Sequence, residues 1–182
     1  MELSKIKLDK NVKEVCRYRI EHPTNPDEYL EKNWMPILDK PWHFVRFSNP
    51  TEIVKVDIKT CTSEFVHVSD KVLNLKQQIR GGSQLIKINN NYLAVTHECD
   101  FYHDETGRKD SEYEHRFLLW DENFELIKIS EPFHFMDGQV EFCVGMCRVN
   151  RDLLITFGFQ DNAAFVLKAP LDLVMDMLYE VP

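Results

Sequence analysis

Short polar turns recur along this chain at intervals too small for anything but β-hairpins. Asn89-Asn90-Asn91 lies between the apolar runs 85–88 and 92–96, Asp121-Glu122-Asn123 between 113–120 and 124–129, and Asn150-Arg151-Asp152 between 141–149 and 153–159. Ser48-Asn49-Pro50 does the same between 42–47 and 52–58. Asn and Asp tolerate the left-handed backbone that a tight hairpin turn requires. The flanking runs are rich in β-branched and aromatic residues and read as strands. Residues 1–20 alternate loosely and suit one or two strands, and 21–27 is a Pro- and Asn-containing loop. Helical spacing appears only after Pro170, where Leu171, Val174, Met175 and Leu178 share a face and predict a short C-terminal helix.

Residues 36–47, 82–97 and 145–157 share one layout of strand, polar turn and strand, each followed after a loop by a third strand. The spacing is roughly fifty to sixty residues, and a propeller blade holds about four strands. A chain of 182 residues then has room for about three blades. The expected fold class is all-β, a partial β-propeller in one unit spanning 1–182, with a twisted β-sandwich as the alternative.

A net charge of −8 argues against a nucleic-acid partner, since counterion release needs a positive face. No apolar run approaches the length of a membrane span, and the N-terminus lacks an apolar leader, so no membrane partner is expected. The five cysteines, 16, 61, 99, 143 and 147, form no CxxC pair, and an odd set of reduced thiols fits a cytoplasmic location.

The stretch 80–97 is where function concentrates. Arg80-Gly81-Gly82 enters one strand and His97 ends its neighbour, so an antiparallel pairing brings Arg80 and His97 to one sheet edge. Beyond His97, residues 98–112 are the most polar insertion and are expected to form a surface loop. His97, Cys99 and His103, with Cys143 and Cys147 further on, only partly meet zinc-ligand spacing, and no metal is expected. Cys143 and Cys147 flank Gly145 and are expected to share a strand face and a core. Cys99 stands among acids, which disfavours a thiolate nucleophile. Of the tryptophans that could stack on sugar rings, Trp34, Trp42 and Trp120, the last two are expected in the core.

Lys32 through Pro36, Arg80-Gly81-Gly82-Ser83, Leu93 through His97, Tyr113 through Asp121, and Phe142 through Gly145 leading to Phe157-Gly158-Phe159-Gln160-Asp161 occur in an order that resembles glycoside hydrolase family 130. That family comprises five-bladed propeller enzymes that cleave β-mannosides, the mannoside phosphorylases and β-1,2-mannosidases. The resemblance covers about 30–178 and implies a carbohydrate-active propeller. It implies that Lys32 and His97 reach phosphate or the sugar, that Asp161 hydrogen-bonds sugar hydroxyls, that Tyr113 faces the pocket, and that Arg80 lies beside it. Inorganic phosphate is the co-substrate that a phosphorylase would need; no other cofactor is implied. The family's proton-donating aspartate has no equivalent here, so the chain resembles the C-terminal part of a propeller and is expected to be incomplete as a catalyst alone.

Glycosidic cleavage uses an acid on the leaving oxygen and a nucleophile on the opposite face. Glu141 and Asp161, each at a strand end, are the expected catalytic acids; Lys32, Arg80, His97 and Tyr113 are the expected substrate-binding residues. Bland readings stand beside these: a solvated Lys32, a structural His97, a surface Glu141, and an Asp161 that only makes a turn. Non-catalytic glycan binding or assembly is the alternative function, with an unrelated β-sandwich interaction domain behind it. An incomplete propeller leaves sheet edges exposed, so self-association or pairing with another propeller segment is expected.

Overall fold

A computed structural model describes residues 1–25, 27, 31–103, 105–107 and 109–181. The chain is all-β and partial-propeller-like, with a short helix near its C-terminus. Strands β1 (Glu2–Leu8) and β2 (Val12–Arg19) form a separate antiparallel hairpin. The first blade-like sheet holds β3 (Met35–Pro36), β4 (His43–Ser48), β5 (Thr51–Asp57) and β6 (Thr62–Val68) in chain order. In the central sheet, β7 (Arg80–Gly81) and β8 (Ile86–Ile88) both pair with β9 (Asn91–His103), which continues to β10 (Lys109–Trp120) and β11 (Leu126–Ser130). The third sheet is β12 (Glu141–Val149), β13 (Asp152–Phe159) and β14 (Ala163–Pro170). Helix α1 (Leu171–Asp176) then returns the chain, and β15 (Leu178–Glu180) pairs with β11.

The turns form where the polar triplets put them. Asn89 and Asn150 adopt φ of 55° and 58°, the left-handed region their side chains tolerate. At 121–125 the side chain of Asp121 accepts the N–H groups of Asn123 and Glu125, each at 2.9 Å, which leaves Phe124 to take the positive φ.

The core explains the sheet order. β9 is buried on both faces from Tyr92 to Cys99. Tyr92 and Ala94 pack with Met35, Val45 and Trp120 toward the first sheet, while Leu93 and Val95 pack with Phe117, Met146 and Ile155 toward the third. Period-two alternation lets one strand serve two cores, as stacked blades require. The N-terminal hairpin adds Leu3 to a smaller cluster around Trp34 and Val54. No helix among the described residues is long and apolar enough to cross a membrane.

Four expectations need correction. Residues 98–112 are a hairpin arm: β9 and β10 stay in register from His97↔His115 out to His103↔Lys109. Beyond Cys99 the arm stands clear of the core, so its strands carry polar side chains and lack an apolar period. Trp42 is 43% exposed, because a left-handed φ of 64° at the turn before β4 swings it outward. Cys143 is buried and Cys147 exposed, since a register shift between Cys143 and Gly145 breaks their common face. The terminal helix stops at Asp176, and Leu178 belongs to β15.

Gly81 and Gly82 let neighbouring backbone pack directly against the chain. A Cβ on Gly81 would lie 2.0 Å from the Asn33 carbonyl oxygen, and one on Gly82 would lie 2.6 Å from the Val95 carbonyl oxygen. Both obstacles are backbone and cannot swing aside. Gly81→Ala is therefore expected to destabilise the protein by about 1–3 kcal/mol, the usual cost of overpacking. Urea denaturation of the variant and the parent checks this.

Candidate functional site

Antiparallel register pairs Arg80 with His97 and Gly81 with Thr96. Because position 81 has no side chain, the 31–35 segment runs directly against β7 and carries Lys32 to Arg80. The two cations line one cleft of about 170 Å³ with Glu31, Asn33, Arg46 and Gln78. Its lining carboxylate is committed to Arg46: Glu31 accepts from the Arg46 Nε and Nη2 at 3.0 and 2.6 Å, and Glu52, outside the cleft, accepts from Nη1 at 2.5 Å. Glu31 also accepts the Trp34 indole N–H at 2.6 Å. Burial raises the Glu31 carboxyl, but its hydrogen bonds to Arg46 and Trp34 outweigh burial and hold it below the usual range.

His97 is 2% exposed and sits between rings. It stacks on Tyr113 at 5.6 Å between centroids and meets Phe142 edge-on at 4.8 Å. Its Nδ1 has no hydrogen-bond partner within the protein. Burial, then the charges of Arg80 and Lys32, lower its pKa from 6.5 to about 4, against a hydrogen bond with the Gly81 backbone. The imidazole is thus neutral at pH 7. Tyr113 is pushed up by burial and by its hydrogen bond with Cys99, pulled down by Arg80, and pushed up again by Asp161. That last influence comes from the third sheet. Asp161 lies exposed at the β13–β14 turn, where Gln160 and Asp161 both have positive φ and the Asn162 N–H donates to the Phe159 carbonyl at 3.1 Å. Asp161 therefore makes a tight turn and also stands at the cluster.

Lys32 and Arg80 share a cleft, Arg80 pairs across the strand edge with His97, and His97 stacks on Tyr113, whose phenol feels the charge of Asp161. Glu141 does not join them. Its side chain is fully buried and accepts the backbone N–H groups of Phe135, Met136 and Gly138 at 2.5, 2.8 and 2.9 Å. It ties the 135–138 loop to β12, which gives it a structural task in place of the catalytic one expected.

Three residues escaped sequence reasoning. Phe142, next to Glu141, supplies the ring against His97 and Tyr113. Phe101, on the hairpin arm, stands 5.8 Å from the Arg80 guanidinium, within cation–π range. His115 pairs across from His97 in register and is fully buried. Its Nε2 accepts the Cys143 N–H at 3.3 Å, while Nδ1 has no partner. Strand periodicity, once the arm is known to be strand, puts Cys99 and Phe101 on the His97 face; nothing local marks His115.

The fold is shared with the β-1,2-mannobiose phosphorylase from Listeria innocua, solved in complex with β-1,2-mannobiose. The TM-score is 0.59 and the identity 14%, over 92% of this chain and 50% of that one. The chain thus spans about half the length of that solved protein. No protein-family model matches the chain, and no curated protein matches it either.

The two histidines give the stability a pH dependence whose sign is fixed. Burial and, for His115, the neighbouring His97 and His134 lower the native pKa values to about 4 and about 3 from 6.5. Above pH 6.5 neither the folded nor the unfolded chain protonates them, and their contribution is complete. As pH falls from 6.5 toward 4 the unfolded chain takes up protons that the native protein refuses, and stability drops by up to about 1.4 kcal/mol per pH unit for each histidine. Urea denaturation at pH 7 and at pH 5 is expected to show a loss that shrinks in His97→Gln by one histidine's share.

Proposed function

We propose that the chain binds a β-linked saccharide of mannoside type at the cleft of Lys32 and Arg80 and over the neighbouring Tyr113 and Asp161, with His97 buried behind them. The observation that carries this reading is the joining of two cations, a neutral imidazole, a phenol and a carboxylate along a wall of exposed and half-buried rings. Sugar sites combine these elements: a ring face for the apolar side of the pyranose and a few fixed polar groups for its hydroxyls. Asp161 and Tyr113 hydrogen-bond hydroxyls. His97, buried behind Tyr113 and Phe142, backs their rings without adding charge. Lys32 and Arg80 hold an anionic group, inorganic phosphate if the saccharide is cleaved by phosphorolysis.

The sequestration of Glu141 narrows the chemistry. Hydrolysis with inversion needs two free carboxyls about 6.5–9.5 Å apart. Asp161 remains from the expected pair, so a carboxylate-pair hydrolase is disfavoured, and binding without turnover is the reading for this chain alone. A phosphate between Lys32 and Arg80 replaces the second carboxylate only where another segment supplies the acid.

Calorimetric titration with β-1,2-mannobiose, with and without inorganic phosphate, tests the site. Binding is expected, with Arg80→Ala and Asp161→Ala each weakening it by about tenfold or more, since a hydrogen bond to a charged group contributes about 1.5–3 kcal/mol. Mannose 1-phosphate formed on incubation with phosphate would move the reading from binder to phosphorylase. Absence of binding to any β-mannoside, or affinity unchanged in both variants, sinks it.

A further inference from the structure

The third sheet is covered on one face only. Its inner side packs on the central sheet through Cys143, Met146, Leu153 and Ile155. The other side carries an open groove of about 290 Å³ whose outward lining is Val144, Thr156, Gly158, Ala164 and Val166. Gly158 keeps the floor low, for a Cβ there would meet nothing nearer than the Ala163 carbonyl oxygen at 4.0 Å. Val144 and Val166 on the groove walls are 67% and 66% exposed. β14 pairs with β13 and, among the described residues, with no strand beyond it, whereas the first sheet carries a fourth strand. An apolar face beside a free strand edge is a surface that natural β-proteins cover.

A complementary feature stands at the other end of the same chain. Leu8 and Val12 are cross-strand partners at the tip of the β1–β2 hairpin, 79% and 73% exposed. They form an apolar knob on a two-stranded ribbon, an element marginally stable by itself. Behind the knob Lys7 stands directly opposite Lys13 and is ion-paired with Asp9 at 3.1 Å. Residues 1–19 carry six Lys and Arg against three acids, in a chain whose net charge is −8. Residues 151–180 carry five acids against two bases. The knob end is therefore positive and the groove end negative.

We propose that a second copy of this chain seats the Leu8–Val12 knob of its β1–β2 hairpin in the Val144–Gly158–Val166 groove of the first. The contact joins two different surfaces and is head-to-tail, so it either closes into a ring or propagates. Apolar burial supplies the attraction, and the opposite charges of the two ends fix the orientation and suppress knob-to-knob pairing. It stands apart from the saccharide reading, since neither surface contains a residue of that site.

Mixing two disabled variants tests the proposal directly. Leu8→Glu blocks the knob and leaves the groove; Val166→Lys blocks the groove and leaves the knob. Both positions are exposed, so melting temperatures close to the parent's are expected, and Val12→Glu with Val144→Lys provides a second pair should either variant unfold. By light scattering at high micromolar concentration, the parent is expected at twice its 21.6 kDa chain mass or more. Each variant alone is expected to be a monomer, and an equimolar mixture is expected to give a 1:1 dimer through the one intact knob and the one intact groove. A monomeric parent, variants that still associate alone, or a mixture that stays monomeric overturns it.

Discussion

The Asn33 carbonyl oxygen occupies the space where residue 81 would carry a side chain, and the candidate site depends on that close approach. It presses the segment bearing Lys32 against the edge of the central sheet, and so puts a cation from ahead of the first sheet beside Arg80. Each member of the Arg80–Ser83 stretch has a distinct task. Arg80 supplies charge, Gly81 and Gly82 admit backbone, and Ser83 completes the edge. The Ser83 N–H donates to the Val95 carbonyl at 2.8 Å, and its Oγ accepts the Val95 N–H at 2.9 Å. A side-chain oxygen thus acts as a ladder acceptor between β7 and β8, where the strand itself is interrupted.

Two residues further along the partner strand, alternation separates two kinds of polar burial. His97 points toward the third sheet and remains neutral, so the field of Lys32 and Arg80 is not reinforced by a third cation. Glu98 points the other way and is ion-paired with Arg116, whose Nη1 also donates to the Ser130 carbonyl at 2.8 Å. Both partners of that pair are less than a tenth exposed. A buried pair of this type gains little net stability after desolvation, but removing one partner strands the other charge. Its effect here is to lock β9, β10 and β11 into one register, and that register sets where His97 faces Tyr113.

Local chemistry was legible and tertiary chemistry was not. The Asn89 and Asn150 turns, the strands beside them, the closeness of Arg80 to His97 and the burial of Trp120 follow from short-range rules, because turn propensity and alternation act over a few residues. The errors share a cause. A register shift of one residue after Cys143 sends Cys147 to solvent, a single left-handed residue turns Trp42 outward, and a polar arm forms strands with no apolar period. Glu141 misled for another reason. A carboxylate at a strand end can serve a substrate or a neighbouring loop, and the three N–H groups that claim it come from 135–138, whose path the sequence does not reveal.

The sheets are fixed to one another by polar links, since apolar packing alone tolerates small rotations of one sheet over another. Gln84 spans the central and third sheets: its Nε2 donates to the Met146 carbonyl and its Oε1 accepts the Met146 N–H at 3.3 Å. It imitates a peptide group and fixes β12, and with it Phe142, relative to β8. On the other side the Trp120 indole N–H donates to Thr51 at 2.9 Å, and the Leu85 N–H donates to the Pro36 carbonyl at 2.8 Å, joining the first and central sheets. These links are directional, so they resist the twisting that apolar contacts allow. A propeller closed all the way round gains the same rigidity from its ring. Among the described residues there are three blade-like sheets, and these links hold together the parts that carry Lys32, His97 and Asp161, because each of the three sits on a different part of the fold.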